Sequence, residues 1–254
     1  SSIQKHQEVY SKAAETTTPS SVLSTVSADY SKLRSVVYLS GWRETFQKLS
    51  TDLPKIKDVG FNTVWLVYSW AEFDPKPLVS PRVYNQVFIT ELKKTLDLLK
   101  KNQMQVIFPL VYVGSGYAPE GINPDTWNID KTSFMAYREY VSRFLTEIQD
   151  YHDMSYILFS SENAMHGNHW NDAVLNARQI RESVGNIPRL LDPQLRAKFR
   201  LGFHDYVLIN LDWSTCLDPE TRAIANHCGA VTESPIKDPI SFDFVMTVGY
   251  EMLN

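Results

Sequence analysis

One carboxylate stands out by position. Glu162 directly follows the apolar run YILFSS, so it sits at the end of a β-rich stretch. A carboxyl in such a place loses water, and desolvation raises its pKa toward the range of a general acid. Five of the six tryptophans also follow β-rich runs. Trp42 comes after RSVVYLSG, Trp70 after FNTVWLVYS, Trp127 in the segment after MQVIFPLVYV, Trp170 after YILFSSENAMHGNH and Trp213 after FRLGFHDYVLINLD. In a chain that alternates strand and helix, these positions fall at one end of the sheet. Broad apolar rings at one rim suit a ligand with flat apolar faces, and sugar rings are such a ligand. Tyr112, His204 and Tyr250, at strand ends, are candidates to bind hydroxyls. Trp65 lies inside a strand and is expected in the core.

Acid–base cleavage of a glycosidic bond needs a second carboxylate, held ~5 Å from the first in a retaining enzyme. Asp205, after the fifth β-rich run, and Glu251, after the sixth, are the candidates. His166 and His169 together with Glu162 could ligate zinc, but their spacing is not that of a helix-borne HExxH and no third strong ligand is evident. No metal and no cofactor are expected. Cys216 and Cys228 are 12 residues apart, and the sequence leaves open whether they are bridged.

The elements that must position these groups recur along the chain. Strands are expected over 35–40, 62–68, 105–113, 156–160, 199–209 and 242–248. Between them run helical patterns: Leu53, Ile56 and Val59, opened by Asp52 and Pro54 and stopped by Gly60; Phe88, Leu92, Leu96 and Leu99; Phe134, Tyr137, Val141, Phe144 and Ile148; and a helix over about 172–184. The strands are nearly continuous apolar runs, as in parallel sheets covered on both faces. Repeated βα units leave two architectures, a closed barrel or an open doubly wound sheet. No GxGxxG or GxxxxGK[ST] follows any strand, which favours an α/β fold of the (β/α)8 barrel type. Six βα units are visible where a barrel has eight, so the barrel is expected to be incomplete in this chain, with truncation at the C-terminus.

The 254 residues, 43% hydrophobic and 21% charged, have a soluble globular profile. The net charge of −4 gives no electrostatic reason to expect nucleic acid as a partner. No apolar run reaches the ~20 residues of a membrane helix. About half of residues 11–31 are Ser or Thr, so residues 1–33 read as a flexible lead-in and residues 34–254 as the barrel domain.

The stretch GFNTVWLVYSWAEFDPKP resembles the second strand and loop of clan A glycoside hydrolases, the retaining (β/α)8 enzymes that include cellulases, mannanases and some β-galactosidases. ITELKKTLDLLKKNQMQVIFPLVYV is similar to their second helix and third strand, and FDFVMTVGYE to their sixth strand. The resemblance implies that Glu162 is the acid/base at the end of strand four and that the substrate is a β-linked poly- or oligosaccharide. It implies a nucleophile at the end of a seventh strand, beyond the six visible here. The clan places Asn directly before its acid/base; here that position is Ser161, and the Asn follows as Asn163. Two alternatives stand beside the hydrolase: a non-catalytic carbohydrate-binding or structural protein on a degenerate barrel, and a metal-assisted polysaccharide deacetylase.

Overall fold

The computed structural model describes residues 33–38, 42–110, 118–124, 126–160, 184, 186–204 and 244–246. Six strands form one sheet: β1 (Ser35–Tyr38), β2 (Thr63–Leu66), β3 (Gln105–Pro109), β4 (Ser155–Ser160), β5 (Arg200–His204) and β6 (Phe244–Met246). The helices are α1 (Trp42–Asp58), α2 (Trp70–Phe73), α3 (Gln86–Lys101), α4 (Lys131–Glu147), α5 (Ile187–Leu190) and α6 (Pro193–Lys198), with a 3₁₀ helix over Gln149–Met154. The strands lie in the order β1-β2-β3-β4-β5-β6, and every neighbouring pair is parallel. A doubly wound sheet reverses its order at a switch point. Here each crossover steps the same way, which is the order of a (β/α)8 barrel, with six strands among the described residues.

The helices form for local reasons, and one expectation about them needs correction. α1 starts at Trp42, ten residues before the Asp52–Pro54 signal read as its start. Its buried stripe is Trp42, Thr45, Leu49, Leu53 and Ile56, a continuous spacing of three and four that outweighs the backbone bond forfeited at Pro54. Val59 lies past the helix end and is exposed, while Gly60, at φ +87°, makes the turn into β2. α3 and α4 follow their predicted stripes. Asn85 caps α3 by accepting from the Phe88 N–H at 3.1 Å, and Asp130 caps α4 by accepting from the Ser133 N–H at 2.7 Å. β3 is described as Gln105–Pro109, and past it the Leu110 N–H still donates to the Leu158 carbonyl of β4 at 2.9 Å, while residues 111–113 of the expected strand lie outside the described residues. The helix expected over 172–184 lies outside the described residues apart from Val184. α5 and α6 were not anticipated, although Asp192 before Pro193 is a readable start: its carboxylate accepts from Gln194 and Leu195 at 2.9 and 3.0 Å.

The sheet has two distinct faces. Val64, Leu66, Val106, Phe108, Ile157, Phe159 and Leu201 pack with the helices in the main core. Ile107, Tyr156 and Leu158 form a second cluster on the opposite face, joined by Trp65 and Leu33. The register puts Trp65, Ile107, Tyr156 and Arg200 on one level across four strands. Arg200 lies over the Tyr156 ring at 4.9 Å.

Between sheet and helices the filling is aromatic. Phe144 meets Phe108, Tyr68 and Phe73 at centroid distances of 5.2, 5.4 and 5.6 Å. Into this layer projects a buried carboxylate, Asp74. It accepts from the Trp70 indole N–H at 3.1 Å and from Arg82 Nε at 3.1 Å, and pairs with Arg82 Nη2. Arg82 in turn donates to the Ala136 carbonyl of α4 at 2.8 Å and pairs with Glu139 at 2.7 Å. Farther along α4, Glu147 bridges Lys93 of α3 and Arg143. Burial works to raise the Glu147 pKa, but the hydrogen bonds and charges of Lys93 and Arg143 prevail and hold it below its ordinary 4.5.

Two outcomes follow from these ion pairs. Arg82→Ala strands a buried carboxylate and lowers unfolding free energy in urea by about 3–5 kcal/mol; an apolar pair at both positions, Asp74→Leu with Arg82→Met, costs less than the single change. A depressed folded pKa gives Glu147 a stabilising contribution that is complete above pH 4.5 and disappears as pH falls through the lower, folded value. Glu147→Gln therefore flattens the acid limb of a stability-versus-pH curve below about pH 4.5.

Candidate functional site

In a barrel of this order, chemistry belongs at the C-terminal ends of the strands. The last level described there is formed by Ser160 of β4, His204 of β5 and Met246 of β6, which are register partners. β5 is described as far as His204, whose backbone lies beside that of Ser160; residues 205–209 of the expected strand lie outside the described residues. Glu162 follows Ser160 by two residues in the sequence. Glu162, Asp205, Glu251, Tyr112, Tyr250, Trp170 and Trp213 lie outside the described residues, as do His166, His169, Cys216 and Cys228. Among the described residues no three metal-ligating side chains come together. No helix among them is long and apolar enough to cross a membrane.

Three of the expected sugar platforms are corrected by the structure. Trp42, Trp70 and Trp127 are 8%, 1% and 1% exposed, and a ring with no open face has nothing to offer a sugar. Trp42 and Trp70 open helices immediately after their strands, so their rings turn into the sheet–helix layer rather than toward the rim. Trp42 packs on Phe88 and Phe46 at 5.3 and 5.7 Å. Trp70 stacks on Tyr140 at 5.6 Å and meets Tyr137 edge-on at 5.4 Å. Trp127 lies 4.6 Å from the same Tyr137. Tyr137 spends its hydroxyl on the Leu110 carbonyl at 2.9 Å, and burial keeps the phenol well above its usual pKa. These rings belong to the packing between the helices. Trp65 joins the cluster on the opposite sheet face, with its indole nitrogen buried and unpartnered.

The rim after β1 and β2 has a positioning device that the reading of the sequence passed over. Ser69 caps α2 by accepting from the Glu72 N–H at 3.3 Å, and Glu72 reaches back to the Ser69 N–H at 2.6 Å. The other Glu72 oxygen accepts from the Trp42 N–H at 3.4 Å, which ties the start of α1 to the start of α2. Ser-x-x-Glu is a capping-box signature and was readable. The Asp74–Arg82 pair, eight residues apart, matches no motif. Tyr84, between Arg82 and Arg143 at 5.4 and 5.2 Å, donates to Glu139 at 3.2 Å. Its pKa is pushed up to about 12, by burial first, against the pull of Arg82.

Comparison with solved structures identifies the fold. A crystal structure of the β-glucosidase from Trichoderma harzianum aligns with a TM-score of 0.51 at 11% identity, over 63% of this chain and 36% of that one. The virulence factor SghA, solved with its substrate analog salicin, aligns with a TM-score of 0.53 at 16% identity, over 74% and 43%. The AHE enzyme from Alicyclobacillus herbarius gives 0.52 at 14%, over 64% and 38%. The chain therefore spans about two fifths of the length of the structures it matches. The fold these structures share with the described residues is that of a parallel (β/α) barrel, of which six strands are described. No protein-family model matches the sequence, and no curated protein matches it.

Core duty at Trp127 has a measurable consequence. Trp127→Ala lowers unfolding free energy by about 3–5 kcal/mol, the cost of emptying a large aromatic site. Urea unfolding of the variant beside the wild-type chain checks this.

Proposed function

We propose that this chain carries part of a glycoside hydrolase barrel that cleaves β-linked sugars, with Glu162 as general acid/base. The observation that supports this most is the sheet. Six parallel strands run in sequential order, as in glycosidase barrels, and β4 leads to a carboxylate two residues beyond Ser160. In the proposed reaction, protonated Glu162 gives its proton to the leaving oxygen while a second carboxylate attacks the anomeric carbon. The resulting Glu162 carboxylate then takes a proton from the water that releases the sugar. Glu251 and Asp205 are the candidates for the second carboxylate within this chain; the resemblance would place it on a further strand. His204, Tyr112 and Tyr250 are proposed to orient sugar hydroxyls. Trp170 and Trp213 remain the proposed platforms, now that Trp42, Trp70 and Trp127 are assigned to the core. No cofactor enters this scheme.

One sequence observation favours a second reading, a sugar-binding barrel without catalysis. Ser161 occupies the position where the resembling enzymes carry Asn beside the acid/base.

General-acid loss has a leaving-group signature. Glu162→Gln is expected to slow hydrolysis of an alkyl β-glycoside by roughly 10²–10⁴-fold, yet to slow a 2,4-dinitrophenyl β-glycoside far less, since that leaving group needs no proton. Rates of the wild-type chain and the variant on both substrates check this. Equal losses on the two, or no effect on either, would remove Glu162 from the acid role. Sugar binding with no turnover of either substrate by the wild-type chain would select the second reading.

A further inference from the structure

The exposed apolar residues are not scattered. All but Val59 of the large hydrophobic side chains exposed among the described residues come from 78–87, 129–135 and Leu190. Polar contacts join these segments. Arg82 donates to the Ala136 carbonyl at 2.8 Å, the Tyr84 hydroxyl to Glu139 at 3.2 Å, and Arg138 to the Leu190 carbonyl at 3.0 Å. Among them lies a cleft of about 560 Å³, with Pro77 and Leu78 on one side and Thr132, Met135, Arg138 and Ser142 of α4 on the other. That volume is within the range of ligand-binding clefts. Leu78 and Met135 are 44% and 48% exposed there, so the apolar surface is open.

Charge indicates what would fill it. Arg82, also in the lining, is committed to Asp74, Glu139 and the Ala136 carbonyl. Glu139 is the one carboxylate of the lining, and Arg82 and Tyr84 already occupy it. Arg138 gives one N–H to a carbonyl and meets no carboxylate among the described residues. A guanidinium with no carboxylate partner among the described residues thus lines the same cleft as two open apolar side chains. Among the described residues the lining holds no aromatic ring of the kind a sugar stacks on. The wall is fixed in advance by the buried Asp74–Arg82 pair, which spares a partner the cost of ordering it.

We propose that this cleft docks a peptide segment of another protein, with an apolar side chain between Leu78 and Met135 and a carboxylate on Arg138. The proposal is independent of the role of Glu162. It is tested with an array of octapeptides that pair one Leu or Phe with one Asp or Glu one to four residues away. Each is matched to a copy with Asn or Gln in place of the acid. Fluorescence anisotropy on the strongest binders then compares the wild-type chain, Arg138→Gln and Met135→Asp. The expected result is binding that requires the carboxylate, weakens with added salt, and falls ~10-fold or more in each variant. The urea midpoint of Met135→Asp should stay near the wild-type value, because that side chain is 48% exposed and outside the core. Three results would overturn the proposal: no peptide binding above its amide copy, affinity indifferent to Arg138→Gln, or a cleft filled by a second copy of this chain, seen as a concentration-dependent dimer that Met135→Asp dissolves.

Discussion

A carboxylate sealed from water dictates the arrangement of the β2 rim. Asp74 is 0% exposed, and its charge is tolerable only because Arg82 and the Trp70 indole supply donors. Arg82 can reach it only if the segment between α2 and α3 folds back over α4, and the guanidinium then fastens that segment to the Ala136 carbonyl and Glu139. Trp70 is held in the same grip, and its ring settles against Tyr137 and Tyr140. One buried charge thus fixes a loop, a tryptophan and the docking of α4.

The strand order carries the other half of the architecture. Sequential parallel pairing with no reversal leaves one sheet face to the helices and turns the other toward the barrel interior. That second face holds Ile107, Tyr156 and Leu158, but also buried polar atoms of Trp65, Gln105 and Arg200 that lack partners. Buried donors and acceptors demand satisfaction. A barrel interior, where side chains from several strands and ordered water converge, is a place where such groups can find it.

Much of this was legible in the residues, though unevenly. The stripes of α3 and α4 and the six β-rich runs announce themselves, because burial on one face leaves a period that local sequence cannot hide. The start of α1 was hidden by Asp52 and Pro54, which imitate a helix opening in the middle of one. The fate of the tryptophans was not legible. A tryptophan just beyond a strand looks the same whether its ring turns to solvent or beneath the rim. Tyr137 and Tyr140, far along the chain, decide that for Trp70, and Tyr137 does so for Trp127. Ion pairs such as Asp74–Arg82 obey no period and become visible only in three dimensions. Glu162 stands out in the sequence for the converse reason, since a lone acid after an apolar run is conspicuous without any tertiary knowledge.

The segment from Asp74 to Asn85 is irregular, yet it is stitched along its length. Asn85 donates its N–H to the Phe73 carbonyl and its side-chain amide to the Glu72 carbonyl, both at 2.9 Å, while its side-chain oxygen caps α3. Arg82 pins the middle. An irregular stretch ordinarily opens by itself, which exposes amides to exchange and peptide bonds to proteases. Here such an opening would have to break a buried ion pair and uncover Trp70 at the same moment. At Arg82 and Asn85, therefore, the loop opens no more readily than the core contacts to which it is tied.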